Sequence, residues 1–240
     1  MSDSIVIIPT YNEIENIELI IRDIFSLEKS FDILVVDDNS PDLTRLKVKE
    51  LQNEFSNLYL EVRTEKFGLG TAYIHGFKWS LEHNYDYIFE MDADFSHNPK
   101  DLIKLYNTCH VDGADMAIGS RYIKGVNVVN WPLSRVLLSY LASVYVRVIT
   151  GMGIRDTTAG FICYKRQVLE SMELDRIKFI GYAFQIEMKF RAFKNKFKII
   201  EIPVIFTDRT RGESKLSKGI ISEAVFGVIK MKINSIFKKL

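Results

Sequence analysis

The segment YDYIFEMDADFSHNP, residues 85–99, begins as an apolar, aromatic run and finishes on two aspartates one residue apart, Asp92 and Asp94. Carboxylates are costly to bury unpaired, so a strand that ends on two of them calls for a partner at that end. In an extended chain, residues two apart point the same way, which would let Asp92 and Asp94 face one ligand together. Oxygen-rich pairs of this kind suit Mg²⁺ or Mn²⁺ bridging a diphosphate. A helix cap or a turn is the competing reading of so short a pattern. His97 is read as a helix-capping or hydrogen-bonding residue in preference to a metal ligand.

Two more polar clusters follow apolar runs: PTYNE, Pro9–Glu13, and DDNSPD, Asp37–Asp42. Glu13 and Asp38 carry carboxylates that accept well from ribose hydroxyls or base N–H groups. Cations appear at Arg121 and in WPLSRVLLSYLASVYVRVITG, where Arg135, Ser139 and Ser143 recur every four residues. That spacing makes one polar stripe on an otherwise apolar helix. The bland alternative is a core helix whose arginine reaches solvent by snorkelling. DRTRGESKLSKG, residues 208–219, is polar, basic and glycine-containing. GLGTAY, residues 68–73, reads as a loop opening a helix, with small residues that allow close backbone approach.

These residues need elements to position them. Short β-branched runs at 4–9, 31–40, 58–63, 85–94 and 115–121 are predicted strands. Ile14, Ile17, Ile20, Ile21 and Ile24 have helical period, and residues 42–56 and the stretch after Pro99 also read as helices. Strands alternating with helices imply an α/β fold, a mostly parallel sheet covered by helices on both faces. In such sheets ligands bind beyond the carboxyl ends of the strands, where three of the polar clusters fall. No linker is visible, so the reading is one compact domain with a C-terminal extension.

Bulk composition agrees. The 240 residues are 47% hydrophobic and 26% charged, enough for a substantial core. A net charge of +1 gives no overall field for nucleic acid. Cys109 and Cys163 have neither metal spacing nor a disulfide pattern, and read as packed free thiols of a reducing cytosol. The N-terminus has no signal-peptide pattern, and no run reaches the roughly 18 uninterrupted apolar residues of a transmembrane helix.

Taken in order, IIPTYNE, VVDDNSPD, EKFGLGTAYIHG, MDADFSHNP, GSRY, DTTAGF and DRTRGESKL resemble the family 2 glycosyltransferases, and within them the dolichyl/polyprenyl-phosphate mannose synthases. The resemblance spans about residues 4–217. One departure is Leu43, where the family often has glycine.

The resemblance implies a GT-A nucleotide-diphospho-sugar transferase fold over residues 1–217. It implies transfer of mannose from GDP-mannose to a polyprenyl or dolichyl phosphate. Pro9, Tyr11, Glu13 and Asp38 would then line the nucleoside pocket. Asp92 and Asp94 would hold the divalent cation and the donor diphosphate, with Ser96 where some relatives have a further glutamine ligand. Arg121, Arg135 and Ser139 would bind the acceptor phosphate. Residues 208–219 would form a loop closing over the donor, with Arg209, Arg211 and Lys215 contacting phosphate; Asp94, Arg121 and Arg209 are the catalytic candidates. The C-terminal helix, 218–240, has an apolar stripe from Ile221 to Phe237 and a basic rim, which suits the membrane interface. The protein is expected at the cytoplasmic face of a membrane, peripheral or anchored by a separate membrane subunit. A UDP-glucose-dependent glucosyl branch and a non-catalytic nucleotide-sugar-binding protein are the alternatives. A nucleotidyltransferase is disfavoured because PTYNE occupies the place of its glycine- and basic-rich loop, and a phospho-acceptor domain because its aspartate pair follows the first strand.

Overall fold

The computed structural model describes residues 2–208 and 218–237. Strands β1 (Ser4–Thr10), β2 (Asp32–Asp37), β3 (Leu58–Val62), β4 (Tyr87–Glu90) and β5 (Met116–Ser120) match the five predicted ones. Between them lie α1 (Ile17–Phe25), α2 (Thr44–Leu51), α3 (Leu69–Glu82) and α4 (Asp101–His110). The second half adds β6 (Val128–Val129), α5 (Leu133–Thr150), β7 (Ile162–Lys165), α6 (Arg166–Glu170), α7 (Tyr182–Lys194), β8 (Ile199–Pro203), β9 (Phe206–Thr207) and α8 (Lys218–Phe237).

The main sheet has the order β3-β2-β1-β4-β7-β5-β8. β7 alone runs against its neighbours β4 and β5; every other pairing is parallel. β6 and β9 form a separate parallel ribbon.

The strands read as continuous apolar runs because both faces are covered. Ile5 and Ile7 of β1 point into one core with α3 and α7, and with Val146 of α5 and Val228 and Met231 of α8. Val6 and Ile8 point into the other, with α1, α2 and α4. Both cysteines are buried free thiols, and Cys109 donates to the Cys163 carbonyl at 3.7 Å.

α5 has an unusual polarity. Leu133, Leu137, Leu138, Leu141 and Val148 on it are exposed, with Leu133 72% and Val148 76% accessible, whereas Ser143 is fully buried. The polar stripe therefore faces inward and the apolar side outward, the reverse of the snorkelling alternative. By length and composition α5 is also apolar enough to cross a membrane, although two arginines, three serines and a threonine interrupt its apolar run.

α8 packs on the domain through Val228 and Met231, and Lys232 Nζ donates to the Thr150 carbonyl at 3.0 Å. Phe226, Ile229 and Ile233 stay exposed. The expected apolar stripe is thus divided between the domain and the surface.

Candidate active site

The polar clusters collect at one edge of the sheet. Thr10 of β1 is in register with Asp37 of β2, so PTYNE and DDNS leave the sheet side by side. Asp37 is fully buried and structural: it accepts from Thr10 Oγ1 at 2.9 Å, Ser40 Oγ at 2.6 Å and the Ser40 amide. Ser40 Oγ in turn accepts the Asn12 amide, and Asp42 accepts the Ile14 amide. These bonds hold the two loops together without using the candidate nucleoside ligands. Glu13 accepts from Asn16 Nδ2 at 3.1 Å. The Tyr11 ring lies under Lys66 Nζ at 4.1 Å, and Pro9 pairs with Val36 inside the sheet.

Asp38 is engaged by a residue the sequence did not single out. Arg63, at the end of β3, donates through Nε and Nη2 to Asp38 Oδ1, and both side chains are nearly buried. The same guanidinium donates to Thr71 Oγ1 at 2.8 Å and the Gly68 carbonyl at 3.2 Å. It therefore ties the DD loop to the start of α3. The glycines there serve packing. Gly68 takes φ 101°, and a Cβ on Gly70 would come 2.9 Å from the Phe179 carbonyl and the Phe184 ring. The structure thus gives GLGTAY a helix-opening, close-packing role.

β4 stops at Glu90, so Asp92 and Asp94 lie beyond the strand, where the chain bends over residues 93–97. The strand-alternation argument for their shared direction does not apply. Phe95 takes φ 58°, and the Ser96 amide donates to Asp94 Oδ1 at 3.0 Å, which turns the chain. Asp92 Oδ1 accepts from the buried Tyr73 hydroxyl at 3.3 Å. The carboxylate that closes the strand is Glu90, fully buried, accepting from Tyr164 Oη at 3.0 Å and from Gln185 Nε2. Burial raises its pKa to about 7 against the Gln185 hydrogen bond and the Lys189 charge.

His97 does not cap α4, which begins at Asp101. Its ring stacks on Phe161 at 4.7 Å and meets the Phe206 edge at 5.0 Å, with Nδ1 buried and without a hydrogen-bond partner among the described residues. Burial, assisted by the Arg121 charge, pushes its pKa down to about 4, so it is neutral near pH 7.

The two candidate acceptor arginines come together. Arg121 lies 5.5 Å and Arg135 4.1 Å from the centroid of Trp131. Trp131 touches Phe206, which carries the contact on to His97. Arg121 is fixed by Asp156 of DTTAGF through Nε at 2.7 Å, Nη2 at 2.6 Å and the backbone amide, and by Thr158 Oγ1 at 2.8 Å. Burial alone would raise the Asp156 pKa, but the Arg121 guanidinium holds it below the usual carboxylate range. Arg135 Nη1 donates to Asp208 at 2.8 Å. Ser139, one turn after Arg135 on α5, is half-buried, and burial pushes the Tyr122 pKa up.

β9 passes beside the aspartate loop, with the Thr207 amide donating to the Ser96 carbonyl at 3.1 Å. Arg209, Arg211 and Lys215 lie outside the described residues.

The donor set suits a hard divalent cation. Mg²⁺ is commonly held by one or two carboxylates plus substrate phosphates, not by an all-protein cage. Two aspartates at a strand end fit that pattern, and among the described residues no group of three or more His, Cys, Asp or Glu offers a closed site.

The sequence pattern of glycosyl transferase family 2 matches residues 5–172. This chain belongs to glycosyl transferase family 2. Within the family it is 46% identical over 226 residues to polyprenol monophosphomannose synthase of Mycolicibacterium smegmatis, covering 94% of this chain and 85% of that protein. It is 44% identical over 222 residues to undecaprenyl-phosphate mannosyltransferase of Micrococcus luteus, covering 92% and 90%. It is 40% identical over 223 residues to dolichol-phosphate mannosyltransferase of Pyrococcus furiosus, covering 91% of this chain but 60% of that longer protein. In fold it resembles glucosyl-3-phosphoglycerate synthase of Mycobacterium tuberculosis, at 16% identity and TM-score 0.67, covering 96% and 79% of the two chains. A mannosyltransferase of Pyrobaculum calidifontis, solved with GDP-Man and Mn²⁺, gives 17% identity and TM-score 0.57, covering 98% and 74%. The fold is of the GT-A type, as expected.

Arg63, Glu90, Trp131, Gln185 and Lys189 escaped the sequence reading. A glutamate inside the apolar run YIFEM and a lysine inside YAFQIEMKFRAF were the available signals.

Proposed function

We propose that this protein transfers mannose from GDP-mannose to a polyprenyl monophosphate, with inversion at the sugar carbon, releasing GDP. The observation that carries this reading is the pair Arg121 and Arg135 on Trp131. They sit beside the aspartate loop and at the inner side of a helix whose outer side is apolar. The names of the relatives from Mycolicibacterium, Micrococcus and Pyrococcus support it.

Arg121 and Arg135 would bind the acceptor phosphate, Arg121 in the rigid orientation that Asp156 imposes. A phosphate oxygen is anionic near neutral pH, so it attacks the sugar C1 with no general base. The bond from C1 to that oxygen forms as the bond to the diphosphate oxygen breaks, and the electron pair leaves with GDP. Asp92 and Asp94 would hold Mg²⁺ or Mn²⁺. When bound, the cation neutralises charge gathering on the departing diphosphate. Pro9, Tyr11, Glu13 and Asp38 would receive the nucleoside, and Arg209, Arg211 and Lys215 would close over the donor and limit hydrolysis. The exposed leucines of α5, with Phe226, Ile229 and Ile233 of α8, would rest in the cytoplasmic face of a membrane and bring the acceptor to the arginines. A separate membrane subunit is compatible with this arrangement.

Two variants separate the halves of the site. Asp94→Asn is expected to lose Mn²⁺-dependent GDP binding and all transfer. Arg135→Gln is expected to keep GDP binding within twofold and to raise the KM for the lipid phosphate at least tenfold. Calorimetric GDP binding together with lipid-transfer kinetics checks both, and unchanged lipid KM in Arg135→Gln would refute the acceptor assignment.

A further inference from the structure

Below the site a buried polar cluster joins its two halves. Gln185 and Lys189 lie one turn apart on α7, and Lys189 is fully buried. Lys189 Nζ donates to the Ala159 carbonyl at 2.6 Å and the Gln185 carbonyl at 3.2 Å, and lies 3.4 Å from Gln185 Oε1. The Gln185 amide nitrogen donates to Glu90, the last residue of β4 and two before Asp92. Ala159 belongs to the turn that begins at Asp156, and Asp156 fixes Arg121. One helical turn therefore connects the end of the strand that leads to the aspartates with the turn that aims the arginine.

The charges fit the same reading. Lys189 acts on both Glu90 and Asp156, while Arg121 opposes it. A buried ammonium adds little to stability compared with an apolar side chain of similar volume. What it supplies here is a directed bond to a backbone carbonyl that an apolar side chain could not hold.

We propose that Lys189 is a positioning residue that fixes the 156–160 turn against the end of β4, and so sets the separation between the Arg121 subsite and the aspartate loop. This rests on Arg121 as an acceptor-phosphate ligand. Lys189 touches none of the reacting groups; it acts through the Ala159 carbonyl and Gln185.

The test is Lys189→Met in the full chain, assayed with labelled GDP-mannose, Mn²⁺ and vesicles containing polyprenyl phosphate. Folding is checked by circular dichroism at the assay temperature. The KM for the lipid phosphate is expected to rise at least tenfold, with the KM for GDP-mannose within twofold of wild type. If Lys189→Met does not fold, the same split is read on Lys189→Gln, which keeps a donor; there the lipid KM is expected to rise about threefold. Equal rises in both constants, or a lower kcat with neither KM moved, would overturn the inference. Absence of lipid transfer by the wild type would overturn the reading of the Arg121 subsite and this inference with it. Transfer by the wild type without the split overturns the inference alone.

Discussion

At Leu43 the backbone takes φ 70°, a left-handed conformation that costs a residue with a Cβ about 1 kcal/mol. Glycine, which the resemblance leads one to expect here, adopts it freely. The strain falls on an exposed side chain, 58% accessible. Leu43→Gly is therefore expected to stabilise the protein by about 1 kcal/mol and leave transfer kinetics unchanged, as read by urea unfolding and the lipid assay. His97 gives a second test. An imidazole held neutral down to about pH 4 in the fold, against an ordinary value of 6.5, binds fewer protons folded than unfolded. Its contribution is full above about pH 6.5 and is lost as pH falls toward 4, by up to about 3 kcal/mol. Glu90, raised to about 7, has the opposite slope between about 4.5 and 7. The His97 effect is thus read as the stability difference between wild type and His97→Phe in metal-free buffer. That difference should shift in favour of the variant between pH 7 and 5; a pH-independent difference would show that His97 is not held neutral. At this scale the place of Asp92 and Asp94 just after the fourth strand was legible in the sequence. Their partners were not, because Tyr73 and the Ser96 turn depend on where β4 ends.

Among the elements, α5 was legible as a helix with a polar stripe at four-residue spacing, but not in its direction. Periodicity fixes which residues share a face and leaves open which face meets water. Here Ser143 is buried while Leu133, Leu137, Leu138 and Leu141 are exposed. The reversal makes sense if the outer medium is a bilayer. Leu137→Asp with Leu141→Asp is expected to reduce binding to anionic liposomes at least tenfold in a sedimentation assay. The melting temperature should move by no more than about 2 °C, since neither side chain leaves a cavity. Loss of folding with retained liposome binding would contradict that assignment. β7 and β8 show the opposite limit. Neither ICYK nor IIEIP was read as a strand, and the reversal of β7 within a parallel sheet shows only in its pairing with β4 and β5.

Across the whole molecule, one sheet edge gathers loops from β1, β2, β4 and β5, and the two cores on either face hold that edge rigid. Alternating strand and helix patterns made the architecture readable, and the order of seven short motifs made the family readable. What sequence could not supply was the contact chain from Asp38 through Arg63 to α3, and from the aspartate loop through Phe206 and Trp131 to both arginines. Those links join residues far apart in the chain. The proposed activity of this edge is to move a mannosyl group from GDP-mannose onto a lipid phosphate. Its most direct test is a transfer assay offering labelled GDP-mannose and UDP-glucose separately to vesicles with polyprenyl phosphate, with Mg²⁺ or Mn²⁺ and then with EDTA. The expected result is label in the lipid fraction from GDP-mannose only, abolished by EDTA. Lipid label from UDP-glucose instead, or none from either donor, would contradict it.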